Sequence, residues 1–354
     1  MSTVDIKSDV AGQAQPPAPA APATPVAPLW RRLAPWAMLG GGLAFGIVLQ
    51  TQLYSGQVRL ATTVLMFVSL ASAWNLIGGY TGYACFGQVG FFGLGGYSTA
   101  LFMYHLHWSF WLAMPLSAVI AGLFAVLVGG PLLRLKGHYF AVATLGVAEG
   151  LREVVINLPG LTGGGGGISI PAVGANAPTR WLGNDGFYVL FLVIAVVVVA
   201  VCIVVSTSRG GYALRAIHQD EDAAAAMGIN TTVAKTAAFG VSAALTGAVG
   251  AAYAFQQQAI YPNPMFFVGI TVLMVVMVVI GGSGTVLGPI VGAVVIAFAS
   301  EWLRQHYTTI HTFMLGGLII VTVVLLPQGI STYLRDAVKT RRFSPLDNVR
   351  RYRL

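Results

Sequence analysis

Few residues of this chain have the types and spacing that chemistry requires. The six histidines, at positions 105, 107, 138, 218, 306 and 311, are scattered without the order of metal ligands. Cys85 and Cys202 lie in apolar segments, so we interpret both as buried small hydrophobic residues. The sequence contains no G-x-x-x-x-G-K-[ST] phosphate loop. We therefore predict no catalytic residue, no metal site and no cofactor in this chain.

One cluster of charges interrupts an otherwise apolar segment. Glu149, Arg152 and Glu153 are spaced i, i+3 and i+4, so on a helix they share a face and can form ion pairs. Charged groups inside a membrane usually face the protein interior or water and mark pathways. A neutralised group that reaches the membrane surface near a helix end is the alternative, and both interpretations stay open.

Five polar residues in apolar surroundings could form hydrogen bonds to a solute that crosses the membrane. They could equally bond only to neighbouring helices, at an average of about 0.6 kcal/mol each. We take these five residues, together with Glu149 and Arg152, as candidates for a translocation path. The five are Asn75, Gln88, Tyr97, Tyr139 and Thr144.

Residues 207–232, which include Arg215, have a different character. The acidic residues Asp220, Glu221 and Asp222 could cap a short helix, because anions suit its positive N-terminal end. Residues 223–227 are good helix formers, and Gly228 could end the helix in the left-handed conformation. The sequence predicts a short helix whose small side chains, Ala223 and Ala224 among them, let another protein approach closely.

The elements that position these residues are predicted to be transmembrane helices. Of 354 residues, 56% are hydrophobic and only 8% are charged, against about 25% charged in soluble domains. The apolar stretches are continuous and do not alternate, which favours helices over a barrel. We predict an all-α integral membrane protein with about ten spans, at 34–51, 58–78, 84–105, 109–133, 138–157, 186–206, 233–256, 266–282, 288–304 and 310–326.

The distribution of basic residues predicts the orientation. With ten spans and the N-terminus inside, 15 of the 19 Lys and Arg residues lie on the cytoplasmic side, and only Arg59, Arg152, Arg180 and Arg304 lie at or near the outer side. This asymmetry follows the positive-inside rule and explains the net charge of +8 better than nucleic-acid binding does. Both termini are therefore predicted to be cytoplasmic.

The predicted domain organisation is a permease domain at 30–334 between two tails. Residues 1–29 are rich in proline and alanine and cannot build a core, so we expect a disordered cytoplasmic tail. Residues 335–354 form a basic cytoplasmic tail. Residues 158–185, with a glycine run at 163–167, are expected to form a flexible outer loop.

Glycine spacing predicts close helix packing inside the permease domain. Small residues let helix backbones approach each other without lipid between them. We expect each of two sets to lie on one helix face: Gly78 with Gly82, and Gly284 with Gly288 and Gly292.

The loop and four other segments resemble known permeases. The run Asp222-Ala-Ala-Ala-Ala-Met-Gly228 is similar to the EAA---G loop of permeases of ATP-binding cassette (ABC) importers, with aspartate at the usual glutamate position. The segments at 75–97, 135–145, 161–164 and 281–292 resemble, in the same order, blocks of branched-chain amino acid permeases of the LivM type. Similarity extends over about 55–335. One departure is Cys85-Phe-Gly-Gln88, where relatives more often have a Ser-Leu-Gly-His type of stretch.

The resemblance implies a division of labour in a bacterial inner membrane. A second homologous permease subunit would complete the pore, and two ATP-binding subunits, which use ATP and Mg²⁺, would dock on the 207–232 loop. A periplasmic substrate-binding protein would deliver the solute. The alternatives are an ion-coupled secondary transporter, which requires internal repeats around a midplane site, and an intramembrane enzyme. Urea or short amides are alternative substrates.

Overall fold

The computed structural model describes residues 54–170 and 183–307, most of 39–50, and isolated positions between 313 and 331. The predicted tails at 1–29 and 335–354 lie outside the described residues, as do most of the predicted span at 310–326 and positions 171–182 of the expected outer loop.

The described chain is almost entirely helical. A short apolar helix at Leu39–Val48 precedes the main bundle. The helices of the bundle are α1 (Ser55–Thr81), α2 (Gln88–His105), α3 (Phe110–Leu132), α4 (His138–Ile156), α5 (Gly183–Thr207), α6 (Arg209–Gln219), α7 (Glu221–Ala226), α8 (Thr231–Gln257), α9 (Val268–Gly281) and α10 (Leu287–His306).

Six helical segments of the described chain are long and apolar enough to cross a membrane. They contain α1, α3, α5, α8, α9 and α10, and each coincides with a predicted span. The predicted spans at 84–105 and 138–157 are present as α2 and α4, but α2 is rich in glycine and α4 carries three charges, so neither is among the six. A multi-pass all-α membrane fold is confirmed, whereas the count of about ten spans is not.

Helix α8 lies at the centre of the bundle, packed against α1, α2 and α3. Glycines allow this packing at the crossing with α2. A Cβ atom on Gly95 would overlap the carbonyl oxygen of Gly247, and one on Gly250 would overlap that of Phe92. The two backbones are therefore in direct contact, as expected where small residues line a membrane helix interface.

The predicted glycine faces are only partly correct. Gly288 and Gly292 lie on α10 and pack against backbone of 277–282, as predicted. Gly284 instead lies in the turn 282–286 between α9 and α10 with φ +71°, so it does not share their helix face. Gly82 follows the end of α1 with φ +76°, so it does not share a helix face with Gly78. Gly82 and Gly284 were placed wrongly because a glycine that follows a helix end or lies in a turn fits the same spacing as one inside a helix.

The bundle has two ends that differ in character. At one end, called the α7 end, α1 and α3 end, α4 and α8 begin, and α6 and α7 form the connection from α5 to α8. At the opposite end, strand β1 (Ile168–Ser169) pairs antiparallel with β2 (Ala259–Ile260). A helical turn at Pro159–Thr162 and a 3₁₀ turn at Gly164–Gly166 precede β1. The first half of the expected flexible loop thus has regular structure.

Candidate functional site: the α7 end and the path beside it

Helix α7 has the ends that the sequence predicts. The Asp220 carboxylate accepts hydrogen bonds from the backbone N–H groups of Asp222 (2.9 Å) and Ala223 (3.0 Å), which otherwise lack partners at a helix start. After Met227, Gly228 adopts φ +85° and ends the helix. Six residues make a marginal helix, so these caps are needed to hold it.

The outward surface of α7 is small and exposed. Ala223, Ala225 and Ala226 are exposed, Ala224 is buried against the bundle, and the Met227 side chain next to them is 72% exposed. Asp222 forms an ion pair with Lys136 at 3.2 Å, and both side chains are mostly exposed. This surface has the shape of a docking site, because a partner's groove can approach the backbone closely.

Arg215 lies on α6, beside α7. Its guanidinium stacks over the ring of Tyr80, 5.3 Å from the ring centroid, in the last turn of α1. Arg215 therefore holds α6 against α1, and this contact gives it a structural role at the α7 end.

A charged cluster around the buried side chain of Lys235, which the sequence analysis did not identify, connects α7 to the bundle. We call Tyr83, Glu221 and Lys235 the Lys235 triad; Tyr83 and Glu221 are half-buried. Lys235 donates to Glu221 (2.5 Å) and to Tyr83 (3.1 Å), and Tyr83 donates to the other carboxylate oxygen of Glu221 (2.5 Å). Burial raises the pKa of Glu221, but the hydrogen bonds from Lys235 and Tyr83 outweigh it, so the pKa lies below its usual value. A lysine close to the start of an apolar helix was the only sequence signal.

A non-helical segment, 82–87, runs back from the α7 end along α1. The Trp74 indole N–H donates to the carbonyl oxygen of Cys85 (2.7 Å), two helical turns before the end of α1. The Phe86 N–H donates to Thr144 on α4 (3.1 Å). Irregular backbone at membrane depth occurs where protein or a water-filled path surrounds it, so segment 82–87 and Thr144 belong to one candidate path wall.

Gln88 begins α2 deep in the bundle and is fully buried. Its amide N–H₂ donates to the hydroxyls of Ser242 (2.9 Å) and Thr246 (2.7 Å). Both hydroxyls donate their own protons to carbonyl oxygens, which determines the orientation of the amide. The Gln88 carbonyl oxygen has no hydrogen-bond partner within the described residues, so it is an open acceptor.

Two other predicted path residues are buried in different ways. Asn75 donates to the carbonyl oxygen of Thr285 (2.8 Å) and accepts from the N–H of Gly284 (3.0 Å), so both halves of its amide hold the turn 282–286. Tyr97 stacks on Phe266, and its hydroxyl has no partner within the described residues. Asn75 is thus committed to the fold, whereas Tyr97 keeps a free polar group.

The remaining candidates lie on α4. Arg152 pairs with Glu149 (2.9 Å) and Glu153 (2.9 Å), as predicted, and also donates to Asn263 (3.1 Å) in the turn before α9. Tyr139 is 66% exposed at the start of α4. Within the described residues, no hydrogen bond or ion pair joins Tyr139, Glu149 or Arg152 to Gln88 or Tyr97. They line a helix face that the described part of the chain leaves uncovered.

Among the described residues, no three His, Cys, Asp or Glu side chains come together in a way that could hold a metal ion.

Comparison with known proteins identifies the family. The family model described as branched-chain amino acid transport system / permease component matches residues 56–323. The high-affinity branched-chain amino acid transport system permease protein LivM of Salmonella typhimurium is 30% identical over 309 residues, which cover 81% of this chain and 72% of that protein. LivM of Escherichia coli K12 is 29% identical over the same shares. The permease protein LivH of Salmonella typhimurium is 27% identical over 146 residues, 40% of this chain and 46% of that protein. No solved structure gives a significant match.

This chain therefore belongs to the family of permease components of branched-chain amino acid transport systems. The resemblance to permeases of the LivM type is confirmed. Family membership makes the chain a membrane transport subunit and not an enzyme, and it favours this function over an ion-coupled secondary transporter.

Proposed function

We propose that this chain forms one half of the pore of an ATP-driven importer of branched-chain amino acids. The observation that carries this proposal is helix α7, which has caps at both ends and presents exposed alanine side chains at one end of a membrane bundle. The solute is proposed from the relatives, whose names describe branched-chain amino acid transport.

The α7 end is proposed to face the cytoplasm of a bacterium, with the chain in the inner membrane and both termini inside. Five basic residues, Arg134, Lys136, Arg209, Arg215 and Lys235, lie at this end of the bundle, and Arg59, Arg152 and Arg304 lie towards the other. The positive-inside rule supports this orientation.

The proposed assembly has several further subunits. A second permease, homologous to this one, completes the pore, since the relatives include both LivM and LivH of the same organism. Two ATP-binding subunits bind ATP and Mg²⁺ and dock on α7. A periplasmic binding protein delivers the amino acid at the end with the β1–β2 pair.

We place the solute path between α4 and the second permease. The uncovered face of α4 combines Tyr139 with Gly146 and Gly150, which have open space in front of them, and with Glu149 and Glu153. Charged groups inside a membrane rarely face lipid, which supports a face covered by water or by another subunit. Segment 82–87 and the open acceptor on Gln88 lie behind α4 and complete the wall.

Docking on α7 is tested by enlarging one exposed side chain. We expect Ala225→Trp to prevent the ATP-binding subunit from co-purifying with the tagged permease, because the indole occupies the space that the partner's groove needs. Uptake of radiolabelled leucine into proteoliposomes should fall to background.

In the unaltered complex, isoleucine and valine should compete with leucine for uptake, and urea and acetamide should not.

Ala225→Ser is the matched control, since it keeps the surface small. Its complex should form in normal amount and import leucine normally. If Ala225→Trp retains the ATP-binding subunit and normal uptake, α7 is not the docking helix.

The path along α4 is tested by removing its charges together. We expect the double variant Glu149→Gln, Arg152→Met to reduce leucine uptake at least about tenfold, the order of a typical coupling effect, without loss of the ATP-binding subunit. The same double change in Glu301 and Arg304, an ion pair at the end of α10 with atoms 2.7 Å apart and an exposed arginine, is the control and should have little effect. Unchanged uptake in the α4 variant would place the path elsewhere.

A further inference from the structure

The Lys235 triad places a lysine in an unusual position. Lys235 is only 3% exposed although it lies in the second turn of an apolar helix. Its ammonium group has three N–H donors, and it directs them to Glu221, Tyr83 and the carbonyl oxygen of Leu133 (3.1 Å). Every N–H donor has a partner, so three hydrogen bonds hold the ammonium group of Lys235 in place inside the protein.

The triad joins four parts of the chain. Glu221 is the first residue of α7, Lys235 belongs to α8, Leu133 ends α3, and Tyr83 is the second residue of segment 82–87. The ring of Tyr83 also packs edge-on against Phe140 in the first turn of α4, with ring centroids 5.3 Å apart. Through Tyr83, helix α7 is therefore connected both to segment 82–87 and to α4, which form one wall of the proposed path.

A buried pair of this kind resists separation, whereas an exposed one does not. Withdrawing Glu221 from Lys235 would leave a charge buried without compensation, which is strongly unfavourable. The exposed pair that Asp222 on the same helix forms with Lys136 contributes little, because water replaces the partner. When α7 moves, the path of lowest free energy keeps the triad intact and moves Tyr83 with it.

We propose that Tyr83, Glu221 and Lys235 are positioning residues that transmit a displacement of α7 to segment 82–87. This inference rests on the proposed function, in which an ATP-binding subunit moves α7. Segment 82–87 is not helical and leads directly into Gln88. Its displacement therefore repositions the open acceptor on Gln88 and the contact with Thr144.

The test uses Tyr83→Phe in the complete importer in proteoliposomes. This change keeps the ring contact with Phe140 and the ion pair of Glu221 with Lys235. It removes only the hydroxyl through which residue 83 bonds to that ion pair. Leucine uptake and ATP hydrolysis are measured on the same preparation. We expect normal assembly and normal ATP hydrolysis, with leucine imported per ATP reduced about tenfold, as for a typical lost coupling. Tyr104→Phe, at an exposed tyrosine near the other end of α2, is the matched control and should leave this ratio unchanged.

The same ratio is measured for Glu221→Gln, which keeps an acceptor oxygen but loses the charge. A normal ratio in Tyr83→Phe overturns the inference. So does a defect confined to the amount of assembled complex, because that result would make the triad purely structural. If the unaltered complex hydrolyses ATP but imports no leucine, the proposed function itself is contradicted, and the inference falls with it.

Discussion

Replacing Gly250 by valine should prevent this chain from reaching its folded state. Gly250 lies on α8 where α2 crosses it, and its Cα faces the carbonyl oxygen of Phe92 without space for a Cβ atom. The obstructing atoms all belong to the backbone of Phe92, so no side chain can rotate away. Overpacking in a core costs about 1–3 kcal/mol and occasionally more, and here it would separate α8, the central helix, from α2. We expect little monodisperse protein in size-exclusion chromatography of detergent extracts.

Gly130→Ala is the control for this prediction. Gly130 is also a helix glycine, but a Cβ atom there would contact nothing within 4 Å. Alanine in its place should raise helix stability by up to about 1 kcal/mol. A Gly250→Val protein with normal yield and a normal melting temperature would show that α2 and α8 do not touch as described.

Replacing Asn75 by leucine is expected to destabilise the turn between α9 and α10. The side chain bonds to Gly284 N–H and Thr285 C=O, and it is 1% exposed. Leucine has a similar volume but leaves both backbone groups without partners. A fully buried unpaired group costs about 1–3 kcal/mol; since Gly284 and Thr285 are half-buried, the variant should lose about 1–3 kcal/mol in total. The melting temperature in detergent measures this loss.

The matched change is Asn157→Leu, at an exposed asparagine after α4 whose amide bonds only to the Glu153 carbonyl oxygen. Its effect should stay within about 0.5 kcal/mol, as is usual for surface sites. The comparison also separates two roles for Asn75. If Asn75→Leu leaves the melting temperature unchanged but abolishes leucine uptake, Asn75 contacts the solute and does not primarily hold the turn.

Helix positions were predictable from sequence because apolar length is a local property. The predicted segment 109–133 became Phe110–Leu132, and 186–206 became Gly183–Thr207. The caps of α7 were equally predictable, since Asp220 and Gly228 act on backbone groups within a few residues of themselves. The span at 84–105 was the exception. Its first residues, 84–87, belong to the non-helical segment 82–87, and the tertiary contacts with Trp74 and Thr144 hold that conformation.

The sequence by itself determined that this chain is a helical membrane permease, where most of its helices lie, and that α7 would be a capped helix with small exposed side chains. Only the tertiary structure decided which polar residues act together. Tyr83 lies 138 residues from Glu221, and Asn75 lies 209 residues from Gly284. Hydrogen bonds over such separations depend on how whole helices pack, and helical periodicity carries no information about that packing. The residues predicted for the path therefore separated into a turn clamp at Asn75, an open acceptor at Gln88 and an uncovered face on α4.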